Sequence, residues 1–324
     1  GDGDDKATNM GTITATASST ALTQDISVEL VGNVKANSST TSAATATGID
    51  GEAGSDGLAN RGTITASATS EAHATSVDVK FMTIPTMFAE LFGADLGDAK
   101  TAAQATATGI AGGAGDDTIS NSGTVDVYAH ADADSTDVTA TLTITSLGGG
   151  SPKAAGPSVG MQASPVAAAV GAAAPVAVAA AKESEESGDI TDTGTIAQAL
   201  VIGIDGGTGN DTITNDNKVS VKAESEADSV GVNPTINIAK GGFPNIFPGM
   251  AFAEAETNAY ATATGVDGGD SNDTILNEDE VVVEAISNST SATVGVLLKG
   301  VTSKGLTYGG ALSKAATFAE ATAT

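Results

Sequence analysis

One phrase recurs five times along this chain, and in every copy an Asp, an Asn and a β-branched residue keep the same mutual spacing. The copies begin Gly3-Asp4-Asp5, Gly54-Ser55-Asp56, Gly115-Asp116-Asp117, Gly209-Asn210-Asp211 and Ser271-Asn272-Asp273. Their Asn residues are Asn9, Asn60, Asn121, Asn215 and Asn277, followed at fixed distance by Ile13, Ile64, Val125, Val219 and Val281. A chain that repeats itself this way builds one supersecondary unit several times and buries its core between neighbouring units. Measured from the Gly or Ser that opens each copy, the repeats run 51, 61, 94, 62 and 54 residues, about 3–53, 54–114, 115–208, 209–270 and 271–324.

Two further patterns fill each repeat. After each Asn comes a long alternating run, such as Val219-Ser220-Val221-Lys222-Ala223-Glu224-Ser225-Glu226-Ala227. Period two is the mark of a strand, here with Val, Ile and Ala expected on one face and Thr, Ser, Lys and Glu on the other. An Ala-rich run ending in Gly then leads into the next copy, at residues 43–48, 103–109, 197–203 and 259–265. Residues 319–324 repeat it and stop where the next Gly falls due. No segment carries a comparable helical period.

These observations predict an all-β fold, a β-solenoid (β-helix) of five in-phase repeats forming one domain over 1–324. Aromatics are 3% of the chain, so Ala, Thr and Ser must fill the interior, and only a narrow one can be packed with them. One coil per repeat gives a body roughly 24 Å tall and two coils roughly 48 Å. The five Asn are expected to stack as an amide ladder; the plainer alternative is that Asn merely favours the turn. Differences in repeat length fall at one point of each repeat, at residues 81–98, 146–188, 241–250 and 300–310, which reads as loops on one side of the solenoid.

The net charge of −27, with Arg61 the single arginine, excludes nucleic acid as a partner and disfavours anionic membranes. The stretch 165–181 is mostly Ala, carries Pro175 and is too weakly apolar for membrane insertion. Cys is absent, so disulfides and thiolate metal sites are absent too. His73 and His130 sit on alternating runs as solvated strand residues, and no nucleophile motif, phosphate loop or zinc spacing accompanies them. The expectation is a protein that is not an enzyme. A carbohydrate-active β-helix is the weakest alternative, because a uronate calls for basic residues that this chain lacks.

The turn at the head of each copy resembles a known family. Gly112-Gly113-Ala114-Gly115-Asp116-Asp117-Thr118-Ile119-Ser120 and Gly206-Gly207-Thr208-Gly209-Asn210-Asp211-Thr212-Ile213-Thr214 are similar to the GGxGxDxUx nonapeptide of RTX calcium-binding repeats. Residues 51–59 and 268–276 are degraded copies, and 1–7 a truncated one. The resemblance implies calcium, with Asp56, Asp117, Asp211, Asp273 and Asp5 as carboxylate ligands and the carbonyls of Gly113, Gly115, Gly207 and Gly209 assisting. RTX motifs stand in tandem, whereas these stand 51 to 94 residues apart. A shared ion therefore requires each repeat to return its turn to one edge. The open alternative is a structural turn whose Asp bonds to backbone. The alternating phrases as a whole resemble the passenger repeats of autotransporter and haemagglutinin-type adhesins, which implies an extracellular or cell-surface location.

The phasing of the chain adds one more expectation. Ala321-Thr322-Ala323-Thr324 followed by Gly1-Asp2-Gly3-Asp4-Asp5 reads like residues 261–268. No signal peptide precedes Gly1, so an exported chain is expected here in mature form. Without polar caps, both ends of a solenoid offer open sheet edges that template further pairing. Head-to-tail self-assembly into a filament follows, with Gly1, Asp2, Asp4, Asp5, Ala321, Thr322, Ala323 and Thr324 at the junction. The alternative is a monomeric adhesin-like passenger that binds a ligand through its loops.

Overall fold

The computed structural model describes residues 3–29, 36–83, 98–146, 192–240, 249–300 and 309–324. Each repeat forms one coil of three strands: one short, one long and one returning. Coil one contains β1 (Lys6–Asn9), β2 (Thr12–Glu29) and β3 (Asn37–Asp50). Coil two contains β4 (Gly57–Asn60), β5 (Thr63–Thr83) and β6 (Asp98–Ala111). Coil three contains β7 (Thr118–Asn121), β8 (Thr124–Ser146) and β9 (Asp192–Asp205). Coil four contains β10 (Thr212–Asn215), β11 (Val219–Lys240) and β12 (Gly249–Asp267). Coil five contains β13 (Thr274–Asn277), β14 (Val281–Gly300) and β15 (Gly309–Ala323).

Equivalent strands stack in parallel into three sheets of five strands, in the orders β1-β4-β7-β10-β13, β2-β5-β8-β11-β14 and β3-β6-β9-β12-β15. The fold is an all-β solenoid with one coil per repeat, so the stack of five strands is about 24 Å tall. Register is strict. Asn9 pairs with Asn60 and Asn60 with Asn121, while Ile13 pairs with Ile64 and Ile64 with Val125. The 51 to 94 residues between copies therefore do not displace the motifs. The surplus lies between the long strand and the returning strand. Most of the four expected insertions falls outside the described residues, but their margins are strand: β5 runs on to Thr83, β6 starts at Asp98, β12 at Gly249 and β15 at Gly309. The stretch 165–181 lies outside the described residues as well.

The interior changes character along the coil. Where the short strand meets the other two, Leu58, Ile64, Ile110, Ile119, Val125, Val127, Val201, Ile213 and Val219 fill a three-sided core and are fully buried or nearly so. Room for the branched residues is made by the glycine that ends each Ala run. A Cβ on Gly109 would lie 2.5 Å from Val125 Cγ1 and 2.4 Å from the carbonyl oxygen of Gly203. Further along, only two sheets face each other, and Ala66, Ala68 and Ala72 oppose Ala103, Ala105 and Ala107. Beyond that the interior turns to hydroxyls. Ser291 Oγ donates to the carbonyl of Ala255 (3.0 Å) and Ser287 Oγ to that of Ala259 (2.8 Å), from one sheet to the backbone of the other. A hydroxyl can reach across only because the sheets stand a single small side chain apart. Such a bond gives the enclosed hydroxyl a partner, which offsets its desolvation.

The expectation that apolar residues keep to one face of the long strand holds only for its first half. In β5 the inward residues run Ile64, Ala66, Ala68, Ser70, Ala72, Ala74 and then Ser76, Asp78 and Lys80, all buried. The outward residues run Thr65, Ser67, Thr69, Glu71, His73, Thr75 and then Val77, Val79 and Phe81. Polarity inverts near residue 76 without any slip in register.

Candidate functional site

The Gly-Asp turns and the Asn corners each line up in one column on the short-strand side. At the corner, Asn9 Nδ2 donates to Asn60 Oδ1 (2.8 Å), Asn60 to Asn121 (2.7 Å), Asn121 to Asn215 (2.7 Å) and Asn215 to Asn277 (2.7 Å). Each of the first three also accepts on Oδ1 the amide two residues on, from Gly11 (3.0 Å), Gly62 (3.2 Å) and Gly123 (3.3 Å). One side chain thus fixes the bend from short to long strand and ties coil to coil. Asn is the residue for this, since its amide carries both a donor and an acceptor.

The Asp column is built the same way from backbone donors. The amide of Asp5 donates to Asp56 Oδ1 (2.6 Å), that of Asp56 to Asp117 (2.7 Å), that of Asp117 to Asp211 (2.8 Å) and that of Asp211 to Asp273 (2.9 Å). The second oxygens of Asp56, Asp117 and Asp211 are buried with no hydrogen-bond partner. They lie against the turn glycines, because a Cβ on Gly51, Gly112 or Gly206 would come within 2.6, 2.6 or 2.8 Å of them. Burial pushes the carboxyls of Asp117 and Asp211 above the ordinary range; the amides of Asp56 and Asp117 respectively pull them back, and neighbouring Asp charges push them up again. Gly113, Gly115, Gly207 and Gly209 hold positive φ at the tip of the turn. In the degraded copies the same positions carry Glu52 (φ 71°) and Ser271 (φ 108°), conformations that a side chain strains.

As a calcium site this arrangement fits poorly. One oxygen of each stacked carboxylate accepts an amide, and the other is turned into the coil. The carbonyls of Gly113 and Gly207 accept amides from Thr208 (2.8 Å) and Asp270 (2.9 Å). Among the described residues no group of three or more His, Asp or Glu converges on a point that would hold a metal. The column is a ladder of amide-bonded carboxylates.

The ends of the stack are the third element. Ile275, the inward counterpart of the fully buried Ile213, is 46% exposed because coil five has no coil beyond it. Thr324 pairs with coil four, its amide donating to Ala263 and its carbonyl accepting from Gly265 (both 2.9 Å). Thr322 and Ala323 continue β15 along β12. At the other end, Asp4 accepts the amide of Ser55 (3.0 Å). Gly1 and Asp2 lie outside the described residues. Gly11 is the informative residue here. A Cβ on its counterpart Gly62 would sit 1.8 Å from the carbonyl oxygen of Gly11, and one on Gly123 would sit 2.0 Å from that of Gly62, whereas one on Gly11 would meet nothing within 4 Å.

The two histidines lie on the outer face of the long sheet. His73 Nδ1 is 3.2 Å from Asp134, and His130 Nδ1 is 3.6 Å from Glu224. Between them Asp132 is buried, with neither carboxylate oxygen hydrogen-bonded. Sequence reading passes over this cluster. The signal available was the coincidence of Glu71, Asp132 and Glu226 at equal distance from their Asn corners, which the register turns into one row. Compared with protein-family models, curated proteins and solved structures, the chain matches none.

Proposed function

We propose that this protein is the structural subunit of an extracellular filament, in which copies stack head to tail with coil five of one beneath coil one of the next. The observation that carries this reading is the polarity of the ladders. From coil one to coil four each Asp amide and each Asn Nδ2 of the columns donates toward the higher-numbered coil, so both ladders run one way along the stack, while at coil five Asn277 Nδ2 folds back onto the carbonyl of Asp279 (2.8 Å). Placed end to end, the amide of Asp273 would extend the Asp ladder into the next copy, and Asn277 would exchange its bond to Asp279 for one to the next copy's Asn column, in the geometry already used four times within the chain. Gly11 supports the same reading, since it leaves clear the space that a further coil beneath it would need. Ile275 would gain the cover that Ile213 already has.

Gly11→Val tests it. A Cβ at this position meets nothing of its own subunit within 4 Å, so the β-sheet spectrum and thermal midpoint are expected to stay close to those of the parent. Polymerisation, followed by sedimentation and by negative-stain microscopy, is expected to fall at least tenfold. Filaments of Gly11→Val equal to those of the parent would overturn the proposal. Single rods at all concentrations from the parent itself would favour an adhesin-like surface passenger. Running both proteins with calcium and with chelator reports on the ion separately: filaments indifferent to chelator fit the amide-bonded turns, and filaments that fray on chelation return calcium to them.

A further inference from the structure

The inversion of polarity along the long strand occurs at the same place in coils one to four, and with Val294 and Val296 of coil five it leaves an uncharged apolar field on the outside of the sheet. Ile26, Val77, Val138, Val232 and Val294 form one row across the five strands. Val28, Val79, Ala140, Pro234 and Val296 form the next, and Phe81, Leu142 and Ile236 stand in the row beyond. Ile26 and Val28 are 70% and 64% exposed. The inward partners of these rows are polar: Asp25 and Ser27 in coil one, Asp78 and Lys80 in coil two, Asp137 and Thr139 in coil three, Asn233 and Thr235 in coil four. Four separately written strands thus give up apolar burial inside and put their apolar residues outside, and the fifth, with Gly295 and Leu297 inward, adds Val294 and Val296 to the same outer rows. A strand with one solvated face does the opposite. The outer face of this half of the sheet is built to be covered.

We infer that the cover is a second copy of this chain, packed face to face across a two-fold axis that passes near Ala140. Size is the first argument. Five strands about 4.8 Å apart and three rows about 6.8 Å apart make a field of about 500 Å² per copy, and a pair then buries about 1,000 Å², the threshold of a specific interface. Shape is the second, because ridges of β-branched residues on two flat sheets interdigitate as in a sandwich. Charge selects the two-fold. On the proximal side of the field lie the acidic rows of Glu71, Asp132 and Glu226 and of His73, Asp134 and Asp228. Sheets laid together in the same direction would place acid on acid. A two-fold through the middle row carries each copy's acidic rows past the far edge of the other and leaves only Val, Ile, Ala, Pro, Leu and Phe in contact. The self-complementary patch is what an isologous dimer requires. This contact uses a different surface from the end-to-end junction and stands independently of it.

The absence of Cys makes a direct test possible. Ala140→Cys places a thiol at the centre of the field and Thr45→Cys one on the exposed outer face of the returning sheet. Both are made with and without Gly11→Val, so that lateral pairing is read where end stacking is blocked. Under mild oxidation Ala140→Cys is expected to give covalent dimers at least tenfold faster than Thr45→Cys in either background, and sedimentation of Gly11→Val alone is expected to give a dimer. A monomer with an Ala140→Cys thiol as reactive toward maleimide as that of Thr45→Cys would overturn the inference. So would a monomer with a shielded thiol, which would assign the cover to the chain's own insertions, or a monomer that floats with phosphatidylcholine vesicles, which would assign it to lipid.

Discussion

Asp132 sits on the outer face of the long sheet with Glu71 and His73 on the strand to one side, Glu226 and Asp228 on the other, and His130 and Asp134 on its own. Burial, and after it the charges of Asp134, Glu226, Asp228 and Glu71, push its carboxyl up to about 9. The folded form therefore holds a proton that the unfolded form, with a pKa near 3.9, releases. Between those two values the folded state binds more protons, so this group's contribution to stability is greatest at low pH and declines as pH rises toward 9. Asp132→Asn removes the titrating group while keeping its shape. It is expected to raise the urea midpoint at pH 8, to change it little at pH 4, and so to flatten the fall of stability between them. Equal effects at both pH values would show that the group does not titrate in this window. The Asp column is the contrasting case at the same scale, since its amide donors oppose burial and leave Asp117 and Asp211 less displaced.

At the scale of the strand, the glycines ending the Ala runs and those at the Asn corners look alike in sequence and differ in what surrounds them. Gly109→Ala would drive a Cβ into a backbone carbonyl and a core valine, neither of which can swing away. It is expected to cost about 3 kcal/mol in urea denaturation, the upper range for overpacking a core. Gly11→Ala, with open space around it, is expected to change stability by less than about 0.5 kcal/mol. The same contrast marks how far the strands were legible in sequence. Alternation identified them, and the fixed interval from Asp to Asn to Ile or Val pointed to the in-register stacking that the structure has, because a one-residue slip would turn every side chain to the wrong face. The number of coils per repeat was hidden. Period two says that a segment is extended but not where it bends, and the bend rests on one Asn side chain. Runs such as Ser76-Val77-Asp78-Val79-Lys80 alternate as regularly as the rest, so their reversed phase shows only when it is carried along from Ile64. The calcium resemblance rested on the residue types of the turn, which do not show that stacking gives one oxygen of each carboxylate to an amide of the preceding coil.

At the scale of the molecule, three sheets share one set of coils, and the strands of each coil are paired with those of its neighbours. The two chain ends consequently lie at opposite ends of the stack, with every inter-coil hydrogen bond running roughly along the line between them. Tension applied to the ends of a subunit would load these bonds in opening, not in shear. Such a molecule comes apart like a zip, one turn at a time, and each turn releases its own length of chain. With coil-to-coil intervals of 51, 61, 94 and 62 residues, the released contour lengths are about 180, 220, 340 and 220 Å. A force–extension trace of one subunit is expected to show low, unequal teeth of these sizes, with the 340 Å step as the signature of coil three. Repeats that are equal in cross-section are thus unequal as reserves of length, and a thread made from them would yield gradually under load before it parted.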